Sequence, residues 1–313
     1  MKTVVFMFPG QSSRYPEMFE RLLARPEAAA VVAEASEALG RDLRAHYRHE
    51  NTQQFDRNRD VQVGVFVANH AYLQVLARFG VTAQYSLGMS LGEYNHLVHI
   101  GALGFADAVR LVDDRGKAYD QGPLGQMVAV FPFPLEELEP IVERARAKGR
   151  IEIANYNSPT QNVIAGDKDA LDAAIAELEE QGCECVLIEP KIPMHAPMFK
   201  PVADGLRARL EGAAWKRPTL PYLPNVLGAF EPEATPARVA ELLGRHVWQP
   251  VLWRKSIDML TAAQAGATFI EVGPRAVLYN LLSRSWHKNP KHRTDGHDDT
   301  ALAALAEELA HAA

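Results

Sequence analysis

The stretch YSLGMSLGEYNHLVH, residues 85–99, decides how the rest of the chain is read. It sets a serine between glycines, Gly88-Met89-Ser90-Leu91-Gly92, at the junction of two patterns. VTAQYSLG before the serine reads as a strand, and SLGEYNHLVHIGAL reads as the start of a helix. Gly-x-Ser-x-Gly between strand and helix is the nucleophile-elbow pattern. The glycines permit a sharp turn and close backbone packing. The hydroxyl then stands at the strand's carboxyl end, with the free amides of a helix N-terminus behind it. A Gly-rich turn with a capping serine fits the same five letters, so the decision passes to the flanking segments.

Those segments alternate. TVVFMF (3–8) is a short apolar run stopped by Pro9-Gly10, as expected of a buried parallel strand. PEAAAVVAEASEAL and VQVGVFVANHAYLQVLARFG read as helices, the second closed by Gly80. Strand, helix, strand, helix predicts an α/β core with a parallel sheet. From 126 the order changes to QMVAVFP, LEELEPIVERARAKG, IEIANY, QNVIAG, KDALDAAIAELEEQG and CECVLIE. That is strand-helix-strand-strand-helix-strand, the ferredoxin-like order. The expected organisation is a discontinuous core at 1–125 and 193–285 and a ferredoxin-like subdomain at 126–192. FKPVADGLRARLEG and SIDMLTAAQAG are expected helices, TFIEVGP a strand, and LPYLPNV a Pro-rich sheet edge. Residues 286–313 read as a polar, mobile linker, WHKNPKHRTDGHDDT, and a terminal helix.

Composition narrows the class. Of 313 residues, 47% are hydrophobic and 23% charged, which suits a large globular core. The net charge of −6 and the lack of a basic stripe argue against nucleic acid. No apolar run reaches the roughly 18 residues of a membrane span, and the short apolar start MKTVVFMFPG lacks a cleavage site. A cytoplasmic protein is expected. Cys183 and Cys185 point the same way on one strand, which disfavours a mutual disulfide. His287, His292 and His297 recur at a spacing that fits no usual metal set, so no metal is expected.

Three further positions bear on chemistry. FPGQSS (8–13) leaves the first core strand as a polar turn, where the Gln11 amide can join that of Leu91 as an oxyanion donor. His195 sits between Pro193 and Pro197 where the insert rejoins the core, on what the prolines predict to be a rigid, extended loop. It is either structural or the base for Ser90. Arg115 continues the apolar stripe Phe105, Ala108, Leu111, Val112 and precedes Tyr119. A guanidinium on a core-facing stripe needs an anion. That anion is either Glu93 or Glu271 within the fold, or a substrate carboxylate held bidentately.

Taken together, FPGQ, GMSLGEY, RLVDDRGK, NSPTQNVIAG, MHAPM, PVLW and EVGP resemble the malonyl-CoA:acyl-carrier-protein transacylases and the acyltransferases of polyketide synthases, in a discrete, trans-acting form. The resemblance spans about residues 3–285. It implies an α/β-hydrolase-like core with a ferredoxin-like insert. It also implies that Ser90 takes an acyl group from CoA, that His195 is its base, and that Gln11 and Leu91 hold the oxyanion. Arg115 would clamp a malonyl-type carboxylate, and the acceptor would be the phosphopantetheine thiol of an acyl carrier protein. Acyl-CoA is then a substrate, with no permanently bound cofactor, in polyketide or fatty-acid biosynthesis.

Some positions depart from the family's pattern. Ser12 stands for a glycine, Arg14 for a glutamine and Met89 for a histidine. Met194 precedes His195 where phenylalanine or serine is usual. His246 in GRHVWQPVLW stands for a glutamine near the carbonyl that orients the catalytic histidine. Met89, Met194 and His246 are therefore candidate substrate-binding residues, the methionines as an adaptable apolar wall. Two alternatives share the same residues: an acyl hydrolase that clears carrier proteins, and an inactive docking subunit.

Overall fold

The computed structural model describes residues 2–189 and 191–311. Its strands are β1 (Val4–Phe8), β2 (Tyr85–Gly88), β3 (Gln126–Phe131), β4 (Ile151–Tyr156), β5 (Asn162–Gly166), β6 (Glu184–Ile188), β7 (Thr268–Glu271) and β8 (Lys291–Arg293). Every residue of β1 is buried. An all-apolar strand of this kind has to be covered on both faces and paired on both edges. It pairs in parallel with β2 on one side and β7 on the other, in the sheet order β2-β1-β7-β8. The carboxyl ends of β2, β1 and β7 therefore lie side by side, the edge where ligands bind in open α/β sheets.

Helix Asn58–Arg78 lies between helices Pro26–Leu39 and Phe105–Asp120. Burial on all sides accounts for its lack of a polar stripe, yet it carries the buried polar residues Gln62, Asn69 and His70. Buried polar groups require partners, and two of these point towards the site described below. Gly80 adopts φ +73 just past the helix, as a C-terminal glycine should.

The second sheet has the order β4-β5-β3-β6, and every pair in it is antiparallel. With helices Leu135–Ala145 and Lys168–Glu180 it has its own apolar core, including Val128, Leu138, Ile141, Ile164 and Leu171. Both cysteines are free thiols at β6.

The structure corrects the sequence reading in three places. First, 286–300 is not a mobile linker. Lys291–Arg293 forms β8 and extends the core sheet in parallel beside β7. Thr294 beyond it is buried and bonds Gly273 N and the Glu271 carbonyl. The polar letters reflect an edge strand with partly exposed side chains. Second, Leu220–Val226 is a loop, not a sheet edge. Prolines 221 and 224 remove ladder donors, and the free amides of Leu223 and Asn225 bond side chains of helix Gly92–His99 instead. Third, Pro236–His246, to which no element is assigned above, is a helix capped by the Thr235 hydroxyl. Among the described residues no helix is long and apolar enough to cross a membrane.

Candidate active site

The turn after β2 is tight because its glycines leave it no alternative. A Cβ on Gly88 would collide with the Gly92 carbonyl, and one on Gly92 would collide with the Phe8 carbonyl of β1. Ser90 is forced to φ +50, a left-handed conformation that costs a non-glycine residue about 1–3 kcal/mol. The neighbours hold it there. Its amide donates to Asn225 Oδ1 at 2.8 Å, and Asn225 Nδ2 donates to the Gly88 carbonyl at 2.6 Å.

The Gly10-Gln11 turn after β1 packs directly on this elbow. A Cβ on Gly10 would lie 3.0 Å from the Met89 carbonyl and 3.7 Å from Ser90 Cβ. Among the described residues, the Gln11 and Leu91 amides donate to no protein acceptor. Asn69 fixes the turn from below, donating to the Pro9 carbonyl at 3.0 Å and to Asn95 Oδ1 at 2.9 Å.

His195 follows β6, the edge strand from which the chain leaves the small sheet. Its segment is not the extended loop expected from its prolines. The chain turns at His195 with φ +60 and enters a 3-10 turn at Pro197–Phe199. His195 Nδ1 donates to the His246 carbonyl at 2.8 Å, which leaves Nε2 as an acceptor for the Ser90 hydroxyl at 2.7 Å. Burial, then the Arg115 charge, push the His195 pKa down to about 3, with the His246 carbonyl opposing. The imidazole is thus neutral at ordinary pH, the form a base requires.

Arg115 is 1% exposed. It pairs with neither Glu93 nor Glu271. Nη1 donates to Gln62 Oε1 at 2.6 Å, and Nε and Nη2 have no hydrogen-bond partner among the described residues. Its cationic centre lies 4.2 Å from the Tyr119 ring centroid and 5.7 Å from that of Tyr94. Aromatic faces soften the desolvation of the charge without consuming donors. What remains is a buried cation with two unpartnered donor nitrogens, matched to a carboxylate.

The two glutamates proposed as its partners are engaged elsewhere. Glu271 accepts from the Leu278 and Tyr279 amides. Glu93 accepts from the Tyr222 hydroxyl at 2.7 Å and the Asn225 amide at 3.1 Å. Burial raises its pKa to about 7, with those bonds and Arg115 pulling the other way. Glu93 thus anchors the loop that carries Asn225. Neither Asn225 nor Gln62 stood out in the sequence. Asn225 lies 135 positions from Ser90, and the spacing in LPYLPNV gives no sign of it.

His246 lies behind His195, its ring stacked at 4.9 Å and its Nδ1 3.5 Å from Glu93 Oε2. Its carbonyl is the part that touches His195. The two methionines fall in separate apolar clusters. Met89 packs with Leu223 and Trp253, whereas Met194 belongs to the larger cluster and meets Gln11 Nε2 at 3.8 Å. His96 and His99 bond Ser86, not Ser90. His287 stacks edge-on against Phe269, and His292 lies 3.6 Å from Glu308. Among the described residues no cluster of side chains could hold a metal ion.

The profile of the acyl transferase domain matches residues 5–310. A malonyl CoA-acyl carrier protein transacylase of Escherichia coli strain K12 is 35% identical over 291 residues, covering 91% of this chain and 93% of that protein. A transacylase structure from Clostridium perfringens superposes with a TM-score of 0.89 at 31% identity, covering 98% of this chain and 97% of that one. A malonyl-transacylase solved in complex with its type II polyketide synthase acyl-carrier protein gives a TM-score of 0.89 at 28% identity, covering 98% and 99%.

Proposed function

This chain belongs to the acyl transferase domain family, and from that premise we propose that it transfers a malonyl unit from CoA to an acyl carrier protein through an ester on Ser90. The observation that carries the reading is the buried Arg115 fork, whose Nε and Nη2 have no partner among the described residues. A neutral acyl group offers nothing to those donors. A malonyl carboxylate satisfies both.

In the first half-reaction Ser90 Oγ attacks the thioester carbonyl as its proton passes to His195 Nε2. The amides of Gln11 and Leu91 receive the developing oxyanion, the kind of preorganised donor pair that stabilises such charge. Collapse expels the CoA thiolate, which takes the proton from His195. In the second half the pantetheine thiol of the carrier protein gives its proton to His195 and attacks the acyl-Ser90 ester, regenerating the serine. The His246 carbonyl holds the ring in the required tautomer throughout, and no carboxylate is needed as a third member. Arg115 depresses the basicity of His195 while it is unpaired. A bound malonate carboxylate neutralises that charge, so the substrate itself makes His195 a better base.

Intact-protein mass spectrometry tests the assignment. Incubation with malonyl-CoA should add one malonyl group, mapped by peptide analysis to Ser90, and holo-carrier protein should remove it as a new thioester. Label on any other residue, or removal by water at the same rate without carrier protein, would refute it.

A further inference from the structure

Among the described residues, three non-glycine residues adopt left-handed backbone: Ser90, His195 and Arg275, with φ of +50, +60 and +63. The first two are the hydrogen-bonded pair. Arg275 takes no part in the steps above, yet its conformation is held as firmly. Its amide donates to Asp295 Oδ2 at 2.6 Å, and Asp295 accepts in turn from the hydroxyls of Tyr72 at 2.7 Å and Tyr15 at 3.1 Å. Disfavoured backbone that is buttressed in this way marks a side chain whose direction matters.

The Arg275 side chain is exposed, and its guanidinium lies 5.8 Å from the Tyr15 ring centroid. Beside Tyr15 in sequence is Arg14, half-buried, whose side chain makes one bond among the described residues, from Nη1 to the Gln11 carbonyl at 3.3 Å. Burial, then the charge of Arg275, lower the pKa of Arg14, and the charge of Glu189 only partly offsets them. Two guanidiniums thus face each other's field, and among the described residues most of their donors are open. They also share an edge with the nucleophile. Loops after β2, β1 and β7 present Ser90, then Gln11 and Arg14, then Arg275. The last two loops touch, because a Cβ on Gly273 would run into the Pro9 ring.

We propose that Arg14 and Arg275 form an anion subsite at the mouth of the Ser90 centre, which takes the phosphate at the end of the pantetheine arm. The inference rests on the transacylase reading above. Both donors and acceptors in that reaction, CoA and carrier protein, carry the thiol on the same arm and end it in a phosphate. The malonyl carboxylate is committed to Arg115, so the next anion along the arm is that phosphate. Paired guanidinium forks suit its tetrahedral oxygens. One pair would hold the arm in both half-reactions.

The test uses Arg275→Gly, Arg14→Gln and the double variant. Glycine accepts φ +63 without strain, so Arg275→Gly removes the charge while leaving the backbone content. Arg14→Gln keeps a donor for the Gln11 carbonyl. Rates are measured for Ser90 loading from malonyl-CoA, for transfer to holo-carrier protein, and for loading from malonyl-N-acetylcysteamine, which has no phosphate. The double variant should lose about 10- to 100-fold in kcat/KM in the first two, mainly through KM. With the phosphate-free thioester it should match the wild type. Equal loss on all three substrates, or no loss on any, overturns the proposal. Loss with malonyl-CoA alone also overturns it, since it places the contact on the nucleotide and not on the shared arm. Failure of the transacylase reading would be seen separately, as wild-type protein that takes malonyl from neither thioester.

Discussion

Asn225 and Ser90 are joined by one hydrogen bond of 2.8 Å, from the serine amide to the asparagine side chain, and it closes a loop of chain onto the elbow. The same asparagine donates to the Gly88 carbonyl at 2.6 Å and is itself held through its amide by Glu93. One side chain therefore satisfies both backbone groups that the left-handed turn at Ser90 would leave orphaned.

Asn225→Ala should strand the Ser90 amide and the Gly88 carbonyl in a buried place. An unsatisfied buried group costs about 1–3 kcal/mol. A lower melting temperature and a fall in kcat are expected, with the elbow free to drift from His195. Asn225→Asp should retain the acceptor and lose the donor, and so keep part of the activity. Wild-type turnover in the alanine variant would show that the glycine packing alone sets the elbow.

Ser90→Ala and Ser90→Gly should both end acyl-enzyme formation, but with different effects on stability. The elbow's φ of +50 strains alanine as it strains serine, whereas glycine adopts it freely. The glycine variant should be more stable than the alanine variant by an amount on the order of 1 kcal/mol, and so melt higher. Equal melting points would mean that the turn is not strained.

Arg115→Ala should reduce kcat/KM for malonyl-CoA by roughly ten- to a hundredfold, the worth of a charge-assisted bidentate contact. Acetyl-CoA, which has no carboxylate, should be used as well as before or better. Removing the charge also relieves the downward push on His195, so the acid limb for neutral acyl groups should move up in pH. Lysine should rescue only in part, lacking the planar fork. Gln62→Ala should show a milder version of the same selectivity, because Gln62 Oε1 holds Nη1. Equal loss for both thioesters would make Arg115 structural.

Acid should destabilise the protein through its buried imidazoles. His70, His99 and His287 remain neutral to about pH 4, and His96 and His195 to about pH 3, in each case chiefly because burial disfavours the charged ring. The unfolded chain protonates them near the ordinary value of 6.5. Below that value the unfolded state holds more protons, so stability falls as pH falls. Glu93 and Glu271 act in the opposite sense, since burial raises both to about 7 from 4.5 and the native state holds their protons longer. The histidines outnumber them. Urea midpoints should therefore fall between about pH 6.5 and pH 4. A midpoint that rises on acidification would mean that the two glutamates dominate.

Features that depend on neighbours in the sequence were legible in it. The elbow follows from glycines two residues either side of Ser90, and the strand β1 from its unbroken apolar run. Arg115 stood out because a charge interrupted an apolar stripe. The partners across the fold were not legible. Glu93 looked like a counter-ion for Arg115 by charge alone, but the Tyr222 hydroxyl and the Asn225 amide had already claimed it. The prolines around His195 indicated rigidity but not its left-handed turn. Lys291–Arg293 has the composition of a surface loop, and only its register against Phe269–Glu271 makes it a strand.

That last strand changes what counts as one transplantable unit. The edge of β7 is covered by β8, Thr294 ties down Gly273, and Asp295 reaches back to Tyr15, Tyr72 and Arg275. Leu302, Leu305 and Leu309 of the last helix are buried in the larger cluster. A fusion or domain exchange cut at residue 285, where the recognisable motifs stop, would open a bare sheet edge and unmoor the loop beside the Gly10-Gln11 turn. Grafts that carry the chain through the final helix should fold, and those that stop at the motif boundary should aggregate.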